Sequence, residues 1–174
     1  MVYLKELSRK DILLINEWRN DPEIIDFLGG PFRYINIEIE EAWFETYLKN
    51  RDKQVRCSIF LDSDEKMIGL VSLLDIDHIS KSAEFHIMIG DKRNYDKGYG
   101  TEATKLMLSH AFNNLNLNRI YLKVLEDNPR AIKIYDKCGF KKEGVLRSAA
   151  YKNGSYKNLI IMSILKEEFA LLVF

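Results

Sequence analysis

The chain has 174 residues, of which 47% are hydrophobic and 30% are charged, as in ordinary globular proteins and unlike disordered or fibrous chains. Basic and acidic residues number 26 each, and this balance argues against a general nucleic-acid-binding protein, which needs a basic surface. No apolar run approaches the ~20 residues of a membrane-spanning helix. Two distant cysteines predict no disulfide framework, and the charged N-terminal residues predict no secretory leader. We therefore predict a single cytoplasmic domain over residues 1–174.

The first third of the chain predicts one strand and one helix before a break. Residues 2–7 alternate between apolar and polar and predict the strand. Ser8 and Asp11 have the spacing of a capping box, which opens a helix that ends at the Asn-Asp-Pro sequence at 20–22. The Gly-Gly-Pro sequence at 29–31 then interrupts regular structure.

A second long helix is predicted from about residue 37 to residue 50. Its apolar side is predicted to consist of Ala42, Trp43, Tyr47 and Leu48. The acidic residues of the same segment are predicted to form a solvated face, and these are Glu38, Glu40, Glu41 and Glu45.

From residue 55 the hydrophobic period becomes two, and the pattern predicts an antiparallel meander of strands at 55–61, 67–76 and 83–89. A helix to about residue 114, a strand at 119–125 and a helix from Pro129 to Cys138 follow. Two more strands, 141–151 and 156–166, flank Asn153-Gly154, a strong hairpin signal. The order β-α-α-β-β-β-α-β-α-β-β predicts an α+β fold with a mixed central β-sheet flanked by helices.

The stretch from residue 84 to residue 102 carries the first functional signal. Its strand places Glu84, His86 and Met88 on one face, and Gly98-Tyr99-Gly100 then leads into a helix. A strand, a glycine loop and a helix N-terminus in this order can hold a phosphate, because unpaired N–H groups point at the anion. The loop lacks the Gly-Lys-Ser/Thr ending of a nucleotide P-loop, and no cysteine–histidine cluster has zinc-ligand spacing. We therefore predict neither ATP nor a metal.

Two motifs resemble those of the GNAT superfamily of N-acetyltransferases. The loop at 95–100, YDKGYG, resembles the family's (Gln/Arg)-x-x-Gly-x-(Gly/Ala) pyrophosphate loop, with Tyr95 in place of Gln or Arg. The segment 127–140 resembles a later family motif in which an Asn, an Ala, a Tyr and a terminal Gly-Phe recur. Residues 143–165 resemble the branch of ribosomal-protein N-terminal and spermidine/diamine acetyltransferases. The resemblance covers essentially the whole chain and implies a GNAT-like fold.

The resemblance implies acetyl-CoA as a co-substrate. Backbone N–H groups of residues 95–101 would hold the pyrophosphate, with charge from Lys97 and Arg93, and the pantetheine arm would run along residues 87–89. Asn128 matches the position that contacts the pantetheine side, and Arg130 would approach a phosphate. The implied cofactor-binding residues are Ile87, Met88, Ile89, Tyr95, Asp96, Lys97, Gly98, Tyr99, Gly100, Thr101, Asn128 and Arg130. The alternative for the lysines and arginines of the loop is an exposed basic turn.

The catalytic residues implied are Tyr135 and Glu84. Tyr135 matches the family tyrosine that faces the sulfur and donates a hydrogen bond or a proton to the leaving thiolate. Complete transfer from a phenol of pKa about 10 to a thiol of about 8.5 is uphill by roughly 2 kcal/mol. A backbone N–H near Ile87 or Met88 would polarise the carbonyl. Glu84 and His86 are candidates to deprotonate the amine or position water, and the alternative for all three side chains is a structural role.

We predict direct acetyl transfer to a primary amine, of a small molecule such as a polyamine or amino sugar. The alternatives are a protein N-terminus as acceptor, and a non-catalytic CoA-binding module. Where spermidine enzymes of this branch carry an acidic pair before Pro-Tyr, this chain has Leu-Gly-Gly-Pro-Phe at 28–32, so aminoglycosides and proteins stay open. The acceptor site is expected from residues 18–34, 37–50 and 145–157. The apolar tail at 169–174 is predicted to pack on the domain or on a partner subunit of a homo-oligomer.

Overall fold

The computed structural model describes residues 1–172, which contain a mixed, seven-stranded sheet. The strands are β1 (Val2–Glu6), β2 (Val55–Leu61), β3 (Met67–Asp77), β4 (Ser82–Ile89), β5 (Arg119–Leu125), β6 (Lys141–Lys152) and β7 (Ser155–Leu165). Their order is β1-β2-β3-β4-β5-β7-β6, and neighbours are antiparallel except for the parallel pair β4 and β5. The predicted meander and mixed sheet are confirmed.

Within the same residues, six α-helices surround the sheet. They are α1 (Ile12–Arg19), α2 (Pro22–Ile25), α3 (Ile37–Lys49), α4 (Tyr99–Ser109), α5 (Pro129–Lys137) and α6 (Lys166–Ala170). A π-helical turn, His110–Asn114, extends α4. The predicted order omitted α2 and α6, because helices of four and five residues are too short to show a periodic pattern. Asp11 reaches back to the Ser8 N–H (2.9 Å), as the capping box predicts.

The helices form a layer on each face of the sheet. Helices α1 and α3 bury Ile15, Trp18 and Phe44 against one face, which Met88 of β4 also joins. Helices α4 and α5 pack on the opposite face, where Phe85, Ile87 and Ile89 of β4 point. The alternation predicted for β4 therefore directs alternate side chains into the two helix layers. A gap in the sheet beside β4 is open to both layers.

The predicted faces of α3 need correction. Ala42 and Leu48 are exposed rather than apolar contacts, and the buried stripe contains Phe44 and Tyr47. Glu40, predicted to be solvated, lies on this stripe and has no exposed surface, because its carboxylate accepts a hydrogen bond from Arg19 of α1 (2.7 Å). An ion pair with the neighbouring helix is what allows a charge to occupy this buried position.

The two ends of the β6–β7 region follow the sequence prediction. Asn153 and Gly154 adopt positive φ angles of 48° and 80°, as a two-residue hairpin turn requires. After β7 the tail packs on the domain, with the Phe169 ring 5.0 Å from Phe112. Val173 and Phe174, which belong to the predicted apolar tail, lie outside the described residues.

Candidate active site

A wedge opens in the sheet between β4 and β5. The two strands pair only at their beginning, where Ser82, Ala83 and Glu84 lie opposite residues 119–121. Beyond this point β4 stays paired with β3 up to Ile89, and β5 stays paired with β7 up to Leu125. The facing edges of residues 85–89 and 122–125 therefore have no strand partner among the described residues. Unpaired backbone edges can hydrogen-bond an extended ligand.

A cavity of about 570 Å³ passes through this wedge. At one end, which we name the loop end, it is lined by Tyr95, Gly100 and Arg130. At the other end, named the arginine end, the lining residues are Arg19, Trp43, Arg56 and Ser72. The cavity thus joins the helix layer of α4 and α5 to that of α1 and α3 through the sheet.

The loop end is built on the start of α4. Gly98 precedes the helix with a φ angle of +85°, a left-handed conformation that suits glycine, and Asp96 also has positive φ (+60°). Because the first N–H groups of a helix lack intrahelical partners, those of Tyr99, Gly100 and Thr101 remain able to bind an anion. The predicted phosphate-binding geometry is therefore present.

Arg130 supplies a positive charge at the loop end from helix α5. Its guanidinium lies 4.0 Å from the ring centroid of Tyr95, and its Nε is 3.1 Å from Asp96 Oδ1. The tyrosine that departs from the family motif thus supports an arginine from another element.

The other charges of the loop are arranged differently from the prediction. Asp91 accepts two hydrogen bonds from the Arg93 guanidinium (2.9 and 3.0 Å), so the charge that Arg93 is predicted to add at the loop is shared with this carboxylate. Lys92 is paired with Asp21 and Glu23. Lys97 is exposed and has no ion pair among residues 1–172. Lys97, and Arg130 with its one ion pair in this part of the chain to the exposed Asp96, are therefore the cations best placed for a phosphate.

Asn128 caps helix α5 and holds the segment after α2. Its Oδ1 accepts a hydrogen bond from the Ala131 N–H (3.1 Å), and its Nδ2 donates to the Phe27 carbonyl (3.0 Å). The side chain is buried and lines the cavity. Much of its hydrogen-bonding capacity is therefore used within the protein, and its contact with a cofactor stays a prediction.

Tyr135 lines the cavity on the α5 side of the wedge. Its ring packs edge-on against Phe85 and Phe140, with centroid distances of 6.2 and 5.7 Å. Burial raises the pKa of the Tyr135 phenol well above its usual range, with a further contribution from Cys138. The phenol is therefore protonated at neutral pH and able to donate a hydrogen bond.

Cys138 is packed rather than reactive. Its Sγ lies 3.7 Å from the Thr101 carbonyl, and burial raises the pKa of its thiol to about 11. A thiol with so high a pKa is a poor nucleophile at neutral pH, because the thiolate is the reactive form. Cys138 is therefore a packing residue at the end of α5.

Glu84 lines the cavity on the opposite side of the sheet from Tyr135. Its Oε1 lies 3.6 Å from His86 Nε2 and 3.2 Å from Lys123 Nζ. Contact with His86, and secondarily with Lys123, lowers the pKa of the Glu84 carboxyl although partial burial opposes this. Glu84 is therefore ionised at neutral pH and better suited to orient an amine or a water than to retain a proton.

The arginine end was missed by sequence reasoning. Arg56 of β2, Ser72 of β3 and His86 of β4 lie directly opposite one another in the register of the three strands. Arg19 of α1 and Trp43 of α3 cover this row. The centroid of the Trp43 ring lies 5.7 Å from the Arg19 guanidinium and 4.7 Å from the Arg56 guanidinium. The available sequence signal was that each of these three predicted strands has a polar residue on the face that packs against α1 and α3.

Part of the region predicted to form the acceptor site lines the cavity. Residues from 18–34 and 37–50 line the cavity, but of the described residues none from 145–157 does, and Leu159 is the contribution of β7. The hairpin acts indirectly, because the buried Lys152 Nζ donates to the carbonyls of Ile25 (2.7 Å) and Gly30 (2.9 Å). The β6–β7 turn therefore holds the wall of the cavity without facing it.

Comparison with known proteins decides the family. A family model described as an acetyltransferase (GNAT) domain matches residues 2–141. This chain belongs to the GNAT acetyltransferase family. The assignment based on the loop at 95–100 and the segment 127–140 is confirmed, and with it the GNAT fold and the expectation of an acetyl-CoA-dependent N-acetyltransferase.

Relatives of this GNAT acetyltransferase include named enzymes. The spermidine N(1)-acetyltransferase of Vibrio cholerae is 32% identical over 167 residues, which cover 95% of this chain and 94% of that protein. The Escherichia coli K12 enzyme of the same name is 34% identical over 171 residues, with 97% and 88% coverage. The crystal structure of the V. cholerae spermidine N-acetyltransferase in complex with CoA and spermine matches with a TM-score of 0.90 and 29% identity, covering 97% of this chain and 98% of that one.

The described part of this GNAT domain shows neither a metal cluster nor a membrane-spanning helix. Within residues 1–172, no group of three or more His, Cys, Asp or Glu side chains is arranged to hold a metal ion. In the same part of the chain, no helix combines the length and apolar character that a membrane crossing requires.

Proposed function

We propose that this GNAT enzyme binds acetyl-CoA in the wedge and transfers the acetyl group directly to the primary amine of a small molecule. The observation that supports this most is the single cavity that runs from the glycine loop, through the unpaired edges of β4 and β5, to a polar chamber on the other face of the sheet. A donor entering from the loop end meets an acceptor entering from the arginine end between these edges.

The donor is bound chiefly by backbone groups. In this proposal the N–H groups of residues 95–101 hold the pyrophosphate, with Arg130 and Lys97 as cations. The pantetheine arm runs along residues 87–89, whose β5-facing edge lacks a strand partner within the described chain. A backbone N–H near Ile87 or Met88 binds the thioester oxygen as charge develops on it.

The transfer forms a C–N bond and breaks a C–S bond. The amine nitrogen attacks the thioester carbon, and the electron pair of the C–S bond leaves on the sulfur of CoA. Tyr135, kept protonated by its buried site, donates a hydrogen bond to that sulfur as it becomes a thiolate. A transfer without an acyl-enzyme needs no nucleophilic side chain, which agrees with the raised thiol pKa of Cys138.

The amine must lose a proton before it attacks. For an amine of pKa about 10.4, deprotonation at neutral pH costs roughly 4–5 kcal/mol. Glu84 and Lys123 lie on the side from which the amine would arrive, and we propose that the Glu84 carboxylate orients the amine or the water that accepts its proton. The proton then passes to solvent rather than remaining on a carboxyl whose pKa is lowered.

The acceptor class is supported from two sides. Relatives named spermidine N(1)-acetyltransferases, and a structural neighbour in complex with spermine, support a polyamine. The basic residues at the arginine end favour the second predicted class, amino sugars that also carry negative charge. A protein N-terminus stays an alternative acceptor, and a cytoplasmic location and a homo-oligomeric state stay predictions.

A turnover assay tests the proposal. Release of CoA from acetyl-CoA is measured with polyamines, amino sugars, aminoglycosides and N-terminal peptides, and each product is identified by mass spectrometry. We expect at least one small-molecule amine to give an N-acetylated product. Acetyl-CoA binding without CoA release above background hydrolysis for any amine would instead favour the non-catalytic CoA-binding module.

A further inference from the structure

The arginine end of the cavity carries more positive than negative charge. Arg19, Arg56 and Lys123 line this half, and Glu84 is its one carboxylate among the described lining residues. Glu84 is already engaged by Lys123 and His86. A polycationic acceptor placed here would meet three fixed cations and one carboxylate that already has partners.

Arg56 is the member of this set that lacks a counter-ion. Its Nε donates to Gln54 Oε1 (2.7 Å) and its guanidinium stacks on Trp43, but within residues 1–172 no carboxylate forms an ion pair with it. Burial, and to a lesser extent Arg19, lower its pKa to about 10, while Tyr47 and, more weakly, Asp75 oppose this. It is therefore still charged at neutral pH, in a partly desolvated place where an unpaired charge is unfavourable.

Arg19 adds a second positive charge to the cavity and brings no cavity-lining carboxylate with it. Its one ion pair among the described residues is with Glu40, which is fully buried and does not line the cavity. Both guanidiniums lie over the same Trp43 ring and both face the cavity. Two guanidiniums that contact the same indole, with one carboxylate between them, form a site whose missing component is an anion.

The sheet sets the distance between this site and the wedge. Arg56, Ser72 and His86 lie side by side on β2, β3 and β4, and neighbouring strands are about 4.8 Å apart. The backbone of Arg56 is therefore on the order of 10 Å from that of β4, at whose edge the acetyl group is transferred. This span is too long for the amine and carboxylate of an α-amino acid, and it suits a molecule of about one sugar ring in length.

We infer that the acceptor of this enzyme carries an anionic group, held between Arg56 and Arg19, at about one sugar-ring length from the amine that is acetylated. An amino sugar with a phosphate or carboxylate substituent fits this description. The inference deepens the proposed function and rests on it, since it names the chemistry of the acceptor for the same transfer.

Matched acceptor pairs test the inference. Glucosamine 6-phosphate is compared with glucosamine, and 6-aminohexanoate with hexane-1,6-diamine, by kcat/KM at fixed acetyl-CoA; spermidine is assayed beside them. We expect the anionic member of at least one pair to be preferred by about 10- to 100-fold, chiefly through a lower KM. The first pair reports a phosphate and the second a carboxylate, so the result also identifies the anion.

Variants of Arg56 show whether the preference originates there. Arg56→Met should abolish it with the KM for acetyl-CoA changed less than twofold, which also shows that the variant is folded, and Arg56→Lys should retain part of it. Arg51→Met is the control, because Arg51 is an exposed arginine paired with Glu6 outside the cavity. The inference is overturned if glucosamine and hexane-1,6-diamine give kcat/KM values equal to or greater than those of their anionic counterparts. It is also overturned if the preference survives in Arg56→Met. In both cases the acetyltransferase proposal stands. No CoA release with any amine overturns the proposed function, and the inference falls with it.

Discussion

The guanidinium of Arg130 lies 4.0 Å from the ring centroid of Tyr95, so that helix α5 and the glycine loop share one cation–π contact at the loop end of the cavity. The family motif has Gln or Arg at the position of Tyr95. Here the loop residue provides an aromatic face, and the arginine comes from another element. A planar guanidinium positioned in this way can bind a phosphate while it stays stacked.

Replacing Arg130 should therefore weaken the donor site. For Arg130→Gln we expect the KM for acetyl-CoA to rise about 10-fold with kcat changed less than threefold, because a charge-assisted contact is worth roughly 1.5 kcal/mol. Lys137→Gln, a charge change at the other end of α5, is the control. An unchanged KM in Arg130→Gln would contradict a phosphate contact by this residue.

The role of the ring can be separated from that of the hydroxyl. Tyr95→Phe keeps the aromatic face beneath Arg130 and should leave the KM for acetyl-CoA within twofold. Tyr95→Ala removes the face and should raise it about three- to tenfold, since a stacked cation is held by roughly 0.5–1 kcal/mol or more. Titration of CoA by calorimetry measures both, and equal effects of the two variants would show that stacking is not what positions Arg130.

Tyr135→Phe tests the hydrogen bond to the leaving thiolate. Because the phenyl ring still packs against Phe85 and Phe140, we expect the fold and acetyl-CoA affinity to be retained while kcat falls ~10- to 1,000-fold. Tyr151→Phe, at an exposed tyrosine of β6, is the matched control. Wild-type turnover in Tyr135→Phe would remove Tyr135 from the catalytic residues.

The sheet and the donor half of the site were predictable from sequence, because both depend on local patterns. Alternation identified β4, and the glycines at 98 and 100 marked the loop before α4. The arginine end was not predictable in the same way, since Arg56, Ser72 and His86 meet only through the pairing register of three strands. That pairing register is set by the packed core, and the sequence of one strand does not specify how it aligns with the neighbouring strands.

Charged residues that form buried tertiary contacts were missed for the same reason. Glu40 belongs to a run of acids that reads as a solvated helix face, and Lys152 belongs to a polar hairpin turn. Each is buried because a partner from a distant segment satisfies it, Arg19 in one case and the carbonyls of Ile25 and Gly30 in the other. The local sequence around Glu40 or Lys152 does not predict contacts with such distant segments.

The pH dependence of Glu84 follows from the direction of its pKa shift. Since its pKa is lowered in the folded protein, the carboxylate and its contacts persist above the ordinary value near 4.5 and are lost only as the pH falls through the lowered pKa. Between pH 6 and 9 its charge is constant. A rise of kcat/KM in this range must therefore come from another group, such as the amine of the acceptor.

Glu84→Gln should accordingly lower kcat about 10-fold at every pH from 6 to 9 without removing the rise of kcat/KM. Glu126→Gln, which changes a carboxylate that does not line the cavity, is the control. The profile is recorded with one acceptor and saturating acetyl-CoA. Disappearance of the rise in Glu84→Gln would show that Glu84 itself titrates in this range.

The buried pair of Arg19 and Glu40 should be sensitive to the loss of one partner. Glu40→Met leaves the Arg19 guanidinium without its carboxylate, and we expect the free energy of unfolding to fall by about 2–3 kcal/mol, below the 3–5 typical of fully buried pairs because Arg19 is partly exposed. The double variant Arg19→Met/Glu40→Met should recover part of this loss. Urea unfolding of Glu40→Met, of Arg19→Met and of the double variant gives the coupling, and additive losses would contradict a direct interaction.

Lys152 connects the β6–β7 hairpin to the cavity wall, and its replacement tests that connection. Lys152→Met removes two hydrogen bonds to the carbonyls of Ile25 and Gly30 while it keeps most of the buried aliphatic volume. Each carbonyl then loses its buried donor, and we expect the free energy of unfolding to fall by about 1–3 kcal/mol.

The kinetic effect of Lys152→Met should be confined to the acceptor. Residues 24–31 line the cavity beyond the wedge, whereas the loop end is built by other elements, so the KM for the amine should rise about three- to tenfold with the KM for acetyl-CoA nearly unchanged. Lys142→Met, at an exposed lysine of the same strand, should change neither. An equal rise in both KM values would mean that the variant loosens the whole domain, because a local displacement of the 24–31 wall leaves the glycine loop and Arg130 in place.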